Sequence, residues 1–142
     1  MVNRTVNFAA GLLWCYAGLL VVEALTVGAG RHWTDWGHFI LHILGALAVS
    51  LLAVAVRRGR RQAWLIVVIV GGLMSLLGLA SLLILFSLPA PAQREILQGF
   101  PQLFQLGSLS FPLFVLSVGV LASSVTLLLT RTARVFFQSH RE

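Results

Sequence analysis

Four side chains in the first third of the chain have types and spacing that could do chemistry. His38 and His42 are four residues apart, so on a helix they share one face. Tyr16 and Glu23 are one heptad apart and also share a face. Ionisable groups within a membrane can relay protons, so Glu23, His42 and Tyr16 form a candidate proton or substrate site. Imidazole and carboxylate groups also bind zinc or copper, so His38, His42 and Glu23 are candidate metal ligands.

The same residues allow two further interpretations. Two histidines on one helix approach a haem from one side, so they cannot be its two opposite axial ligands. One of them could still ligate haem or chlorophyll with the help of a partner chain. Alternatively, a contact between Glu23 and His42 could hold two helices together, because polar contacts link helices in a membrane. We favour this structural interpretation, which requires no cofactor.

The elements that position these residues follow from composition. Of the 142 residues, 58% are hydrophobic and 10% are charged, whereas soluble domains carry about 25% charged residues. The mean hydropathy is +0.95. The single cysteine, Cys15, excludes an intramolecular disulfide. The composition therefore predicts an integral membrane protein.

Four apolar segments are long enough to cross a hydrocarbon core of about 30 Å as helices. They cover approximately residues 8–27, 36–56, 63–87 and 111–130. We expect the first segment to be retained rather than cleaved as a signal peptide, because its apolar run is long and is interrupted by Glu23. The predicted fold is all-α: a single transmembrane domain, residues 1–142, built as a four-span helical bundle.

Arginine placement predicts the orientation. With the amino terminus in the cytoplasm, eight arginines lie inside and two, Arg31 and Arg94, lie outside. The inside set is Arg4, Arg57, Arg58, Arg60, Arg61, Arg131, Arg134 and Arg141. We therefore expect a multi-pass protein of the plasma (inner) membrane with both termini cytoplasmic.

The arginines between the second and third segments form one cluster of Arg57, Arg58, Arg60 and Arg61. Topology accounts for this cluster, which is also a candidate site for an anionic lipid headgroup at the inner face. A sequence pI of about 11.6 would indicate nucleic-acid binding in a soluble protein. Because these arginines flank membrane spans, we expect no nucleic-acid partner.

The depth of Glu23 below the outer membrane surface predicts that its carboxyl group has a polar partner. Glu23 lies about five residues below the outer end of the first span, or about 7 Å at 1.5 Å per residue. A carboxylate at the membrane centre costs about 2.5–3.5 kcal/mol on insertion scales, and less at this depth. His42 lies at a similar depth in the second span. We therefore expect Glu23 and His42 to meet across the first helical hairpin.

Stripes of small residues allow helix backbones to approach closely in lipid, and they predict either a compact bundle or helices docked on a partner. The four stripes, in span order, are Gly11, Cys15 and Gly18; Gly45, Ala46, Val49 and Ala53; Gly71, Ser75, Gly78 and Ser81; and Gly119, Ser123 and Thr126. The short connections favour antiparallel packing of spans that are adjacent in the chain.

The outer loop, residues 88–110, has apolar residues at helical spacing. It is predicted to contain either an interfacial helix or a linker packed on the bundle. In either case we expect a break near Gly99, Phe100 and Pro101.

Catalytic signatures such as G-x-S-x-G, H-E-x-x-H and the Walker loop are missing from the sequence. We therefore expect a non-catalytic accessory or assembly subunit of a larger membrane protein complex, in contact with other subunits or with copies of itself. The first alternative is a small homo-oligomeric transporter or proton-coupled carrier that uses Glu23. The second is a metal-, haem- or chlorophyll-binding subunit that uses His38 and His42.

Overall fold

Helices make up the part of the chain that the computed structural model describes, which comprises residues 4–28, 33–104 and 110–139. For some of these residues the structure describes the backbone alone: 26–28, 33–35, 38, 99–104, 110 and 139. The helices are α1 (Arg4–Gly28), α2 (Trp33–Arg57), α3 (Arg61–Ser87), α4 (Ala90–Phe104), α5 (Ser110–Leu129) and α6 (Arg131–Ser139). The prediction of an all-α chain is confirmed for the described residues, which contain no strand.

Four of these helices are long and apolar enough to cross a membrane. The apolar stretches are Arg4–Leu25, Phe39–Arg57, Arg61–Ser87 and Phe111–Leu129. The predicted spans correspond to them one by one, and the boundaries differ by a few residues. The stretch in α3 is 27 residues long and exceeds the roughly 20 residues that a bilayer core requires.

The helices are not packed in a closed ring. α1 packs along both α2 and α5, and α5 packs along α3. α2 contacts mainly the first part of α3, residues 61–66, beside the turn that joins them. The predicted packing of adjacent spans is therefore present for α1 and α2, whereas α2 and α3 separate beyond their turn.

The main hydrophobic core lies at the arginine end of the bundle, where α6 folds back against the spans. Its buried residues are Val6, Ala9, Leu13, Ala53, Val56, Ala63, Val67, Leu121, Leu128, Ala133 and Phe137. The Trp64 ring stacks on Phe137 at 5.6 Å between centroids. The Trp64 indole N–H also donates a hydrogen bond to the Leu128 carbonyl over 2.9 Å, so α3, α5 and α6 are joined at this end.

Close backbone approach joins α3 to α5. Gly71, Ser75 and Gly78 are buried on one face of α3. A Cβ added at Gly78 would lie 2.6 Å from Val118 Cγ2, and one added at Gly71 would lie 3.1 Å from Val125 Cγ2. The small-residue stripe predicted for α3 is therefore a packing face, although Ser81 at its end is exposed.

A π-helical turn, Val67–Gly71, lies within α3. Such turns insert one extra residue into a helix and shift its faces. Its last residue, Gly71, is the first residue of the small-residue face that packs on α5.

The small-residue stripes of α1 and α5 do not pack within the bundle, so docking on a partner is the predicted role that stays open for them. Gly11, Cys15 and Gly18 are exposed on α1, and Gly119, Ser123 and Thr126 are exposed on α5. The buried small residues are instead Ala9, Ala10, Ala17 and Ala24 on α1, and Ser117 and Ser124 on α5. Both helices are apolar all round, so the spacing of glycines does not determine which face is buried.

The outer loop contains the helix α4, so the interfacial-helix alternative gives the correct secondary structure. The predicted break near Gly99, Phe100 and Pro101 is wrong, because α4 continues to Phe104. Proline has a helical φ and removes only one backbone donor, and the helix extends only three residues beyond Pro101. The side-chain amide of Gln93 donates hydrogen bonds to the Phe86 and Leu88 carbonyls, which ties α4 to the end of α3.

We expect Gly78→Ala to destabilise the bundle and Gly119→Ala to leave it intact. Both γ carbons of the β-branched Val118 lie within 3.1 Å of the new methyl at Gly78, so side-chain rotation cannot relieve the overlap. We expect a cost of about 1–3 kcal/mol, typical of overpacking. At Gly119 nothing lies within 4 Å. Thermal unfolding in detergent measures both variants, and an equal response to the two would contradict the α3–α5 packing.

Candidate functional site

Glu23, His42 and Ser117 form a polar contact between three spans. His42 Nε2 lies 3.5 Å from Glu23 Oε2, and the Ser117 hydroxyl donates a hydrogen bond to Glu23 Oε1 over 3.3 Å. Antiparallel pairing of α1 and α2 brings the glutamate and histidine to the same depth. The contact predicted between Glu23 and His42 is therefore present.

The three side chains are largely shielded. The exposed fraction is 12% for the Glu23 side chain and 24% for that of His42, and Ser117 is 8% exposed. Hydrogen bonds and ion contacts strengthen in low dielectric. The cluster therefore joins α1, α2 and α5 in the half of the bundle away from the arginine-end core.

Ser117 was not identified from the sequence. Its neighbour one heptad along, Ser124, is also buried and donates a hydrogen bond to the Ala9 carbonyl over 3.1 Å. The two serines thus mark the face of α5 that meets α1. The heptad spacing of two serines was the available signal, but isolated serines also occur elsewhere in these spans.

Two cavities adjoin the cluster. His42 lines an apolar cavity of about 450 Å³ between α1, α2 and α3, whose other walls include Leu41, Val49, Val70 and Met74. Glu23, Ser81 and Ser117 line a second cavity of about 300 Å³ between α1, α3 and α5. Tyr16 lines both cavities, so Glu23 and His42 border a largely apolar space within the bundle.

Tyr16 lies on the predicted face of α1 and lines the same cavity as Glu23. It is partly buried and packs against the core at the arginine end. Its place at the boundary of both cavities keeps it a candidate member of a proton or substrate site. The structure brings together Glu23, His42 and Ser117, with Tyr16 one heptad away.

The candidate metal ligands are only partly described. The side chain of His38 lies outside the described residues, whereas Glu23 and His42 are in contact. Among the side chains that the structure describes, no group of three histidine, cysteine, aspartate or glutamate residues could hold a metal ion. A metal, haem or chlorophyll at His38 and His42 stays a prediction, which visible absorbance or metal analysis of His42→Ala tests.

The arginine cluster surrounds a tight turn. Gly59 has φ 77°, and its amide donates to the Val56 carbonyl while the Arg60 amide donates to the Ala55 carbonyl, each over 3.0 Å. These two bonds form a Schellman cap at the end of α2, and glycine is the residue that adopts this φ without strain. The side chains of Arg57, Arg58, Arg60 and Arg61 are all exposed.

We expect Glu23 and His42 to be energetically coupled. In a double-mutant cycle of Glu23→Gln and His42→Ala, the coupling should be about 0.5–1.5 kcal/mol, as for interhelical polar contacts in membranes. The matched cycle of Glu23→Gln with Ser124→Ala should give a coupling near zero, because Ser124 bonds the Ala9 carbonyl near the other end of α1 and distant sites without shared partners are additive. Unfolding in detergent micelles measures both cycles. Equal coupling in the two would show that the contact contributes nothing specific.

No protein-family model matches this chain, and neither a curated protein nor a solved structure matches it.

Proposed function

We propose that this chain is a non-catalytic membrane protein that acts as an accessory or assembly subunit of a larger membrane protein complex. The observation that carries the proposal is the outward direction of two small-residue stripes. Gly11, Cys15 and Gly18 follow one exposed face of α1. A Cβ at Gly11 or Gly18 would meet nothing within 4 Å. Such a face allows another membrane helix to approach closely.

A similar face on α5 supports the same function. Gly119, Ser123 and Thr126 are exposed, and a Cβ at Gly119 would meet nothing within 4 Å. The hydroxyls of Ser123 and Thr126 donate to carbonyls of their own helix, which satisfies them in lipid. The partner is another membrane subunit or a second copy of this chain.

The use of the polar groups inside the spans also supports a structural role. Glu23 contacts His42 and Ser117, Ser124 bonds α1, and Trp64 bonds α5. These side chains join helices of the same chain. Catalytic signatures are missing from the sequence, and this is consistent with a subunit that works through binding.

We also propose that the chain resides in the plasma (inner) membrane with both termini cytoplasmic. Four helices could cross a membrane, and an even number of crossings returns the chain to its starting side. The Arg57–Arg61 turn and α6 lie at the same end as the start of α1. Seven of the arginines that the structure describes lie at that end, against Arg94 at the other, and this favours the cytoplasmic side for it.

We expect Gly18→Leu to release the partner from the complex without unfolding the chain. The new side chain would fill the open space beside α1 and prevent close helix approach. Ala80→Leu is the matched control, because it adds a similar bulk, one carbon less, to an exposed position of α3. Mass spectrometry of the gently extracted assembly measures partner and copy number. The proposal is wrong if no other membrane chain or second copy is recovered, or if both variants keep their partner equally.

A small homo-oligomeric transporter or proton-coupled carrier is the second candidate function. The observation that favours it is the position of Glu23 and His42 beside cavities of about 300 and 450 Å³. Titratable groups that border an internal space are typical of coupled transport. Flux separates the two functions: uptake into liposomes by the purified homo-oligomer that is lost in Glu23→Gln would favour the carrier, whereas recovery of a different membrane chain without such flux would favour the subunit.

A further inference from the structure

A groove lies on the side of the bundle where α2 and α3 meet the arginine turn. Its volume is about 590 Å³. Its apolar walls come from both helices and consist of Ala48, Leu51, Leu52, Val54, Ala55 and Ile66. Two arginines, Arg58 and Arg60, line it at the turn. The groove therefore has a cationic end and an apolar body.

The turn explains why these two arginines, and not their neighbours, line the groove. Gly59 reverses the chain with φ 77°, so Arg58 and Arg60 flank the reversal on either side. Arg57 and Arg61 do not line the groove. In the described part of the chain, neither Arg58 nor Arg60 forms an ion pair. Of the acidic residues whose side chains the structure describes, Glu23 lies in the opposite half of α1 and Glu95 lies on α4, beyond the other end of α3.

The apolar body continues away from the arginines. Leu52 and Ile66 line both this groove and the 450 Å³ cavity between α1, α2 and α3. The two spaces therefore adjoin along the separation between α2 and α3. An apolar chain that enters beside the arginines can extend toward the membrane centre without meeting an acidic or basic residue before His42.

We propose that this groove binds one anionic glycerophospholipid. Its phosphate lies between Arg58 and Arg60, and an acyl chain occupies the apolar body between α2 and α3. The planar guanidinium matches phosphate oxygens in a bidentate manner, and the clustered positive charge favours an anionic over a zwitterionic headgroup.

The chain itself offers a matched control for the headgroup contact. Arg58→Gln/Arg60→Gln and Arg57→Gln/Arg61→Gln remove the same charge from the same turn, but only the first pair lines the groove. Native mass spectrometry of the full chain, titrated with phosphatidylglycerol in detergent, measures retained lipid. We expect at least about tenfold weaker retention in the first variant, as for loss of charge-assisted hydrogen bonds. The second variant should remain within about twofold of the wild type. Equal losses in both would overturn the site.

A second pair of measurements tests the acyl chain. Ala55→Phe places a ring among the apolar walls and should weaken retention of phosphatidylglycerol, whereas Ala80→Phe, on the exposed face of α3, should not. Inorganic phosphate added in excess should displace the lipid poorly, because it cannot fill the apolar body. Efficient displacement by phosphate, or full retention in Ala55→Phe, would show a headgroup or free-phosphate site only and would overturn the proposal. Thermal unfolding of each variant separates loss of lipid from loss of fold.

Discussion

The bundle depends on a constraint that the hydrocarbon core imposes on the chain. Lipid tails are as apolar as leucine, so burying leucine between helices contributes little to their association. Close backbone approach and polar contacts must stabilise the association of the helices instead. Here the close approach is concentrated at Gly71 and Gly78 against α5. The polar contacts are those of Glu23 with His42 and Ser117, together with Ser124 to Ala9.

The packing of the spans differs between the two ends of the bundle. At the arginine end, α6 and Trp64 close a core that includes all four spans. Away from it, α2 and α3 separate, and cavities form beside the Glu23 cluster. The polar cluster therefore joins α1, α2 and α5 where hydrophobic packing is loosest, and α3 is attached through α5. The same separation leaves the lateral groove that begins at Arg58 and Arg60.

The sequence predicts the spans and the main polar contact well, because both follow from distances along the chain. Helix length against bilayer thickness defines the four apolar helices, and depth matching is enough to pair Glu23 with His42. Helix rotation is much harder to predict, since α1 and α5 are apolar all round. For this reason the sequence does not show that Gly18 and Ser123 face away from the bundle, or that Ser117 is buried within it. The separation of α2 from α3 depends on long-range packing, which no local pattern encodes.

The central claim is that a glutamate and a histidine from different spans meet within the bundle and help to hold it together. The most direct measurement is solid-state NMR of the folded chain in lipid bilayers, with isotope labels in the histidine rings and glutamate carboxyl groups. A nitrogen–oxygen separation of 3.5 Å between His42 and Glu23 predicts a clear dipolar coupling from His42 Nε2 to the Glu23 carboxyl carbon. A folded sample in which His42 shows no coupling to any glutamate carboxyl would contradict the account.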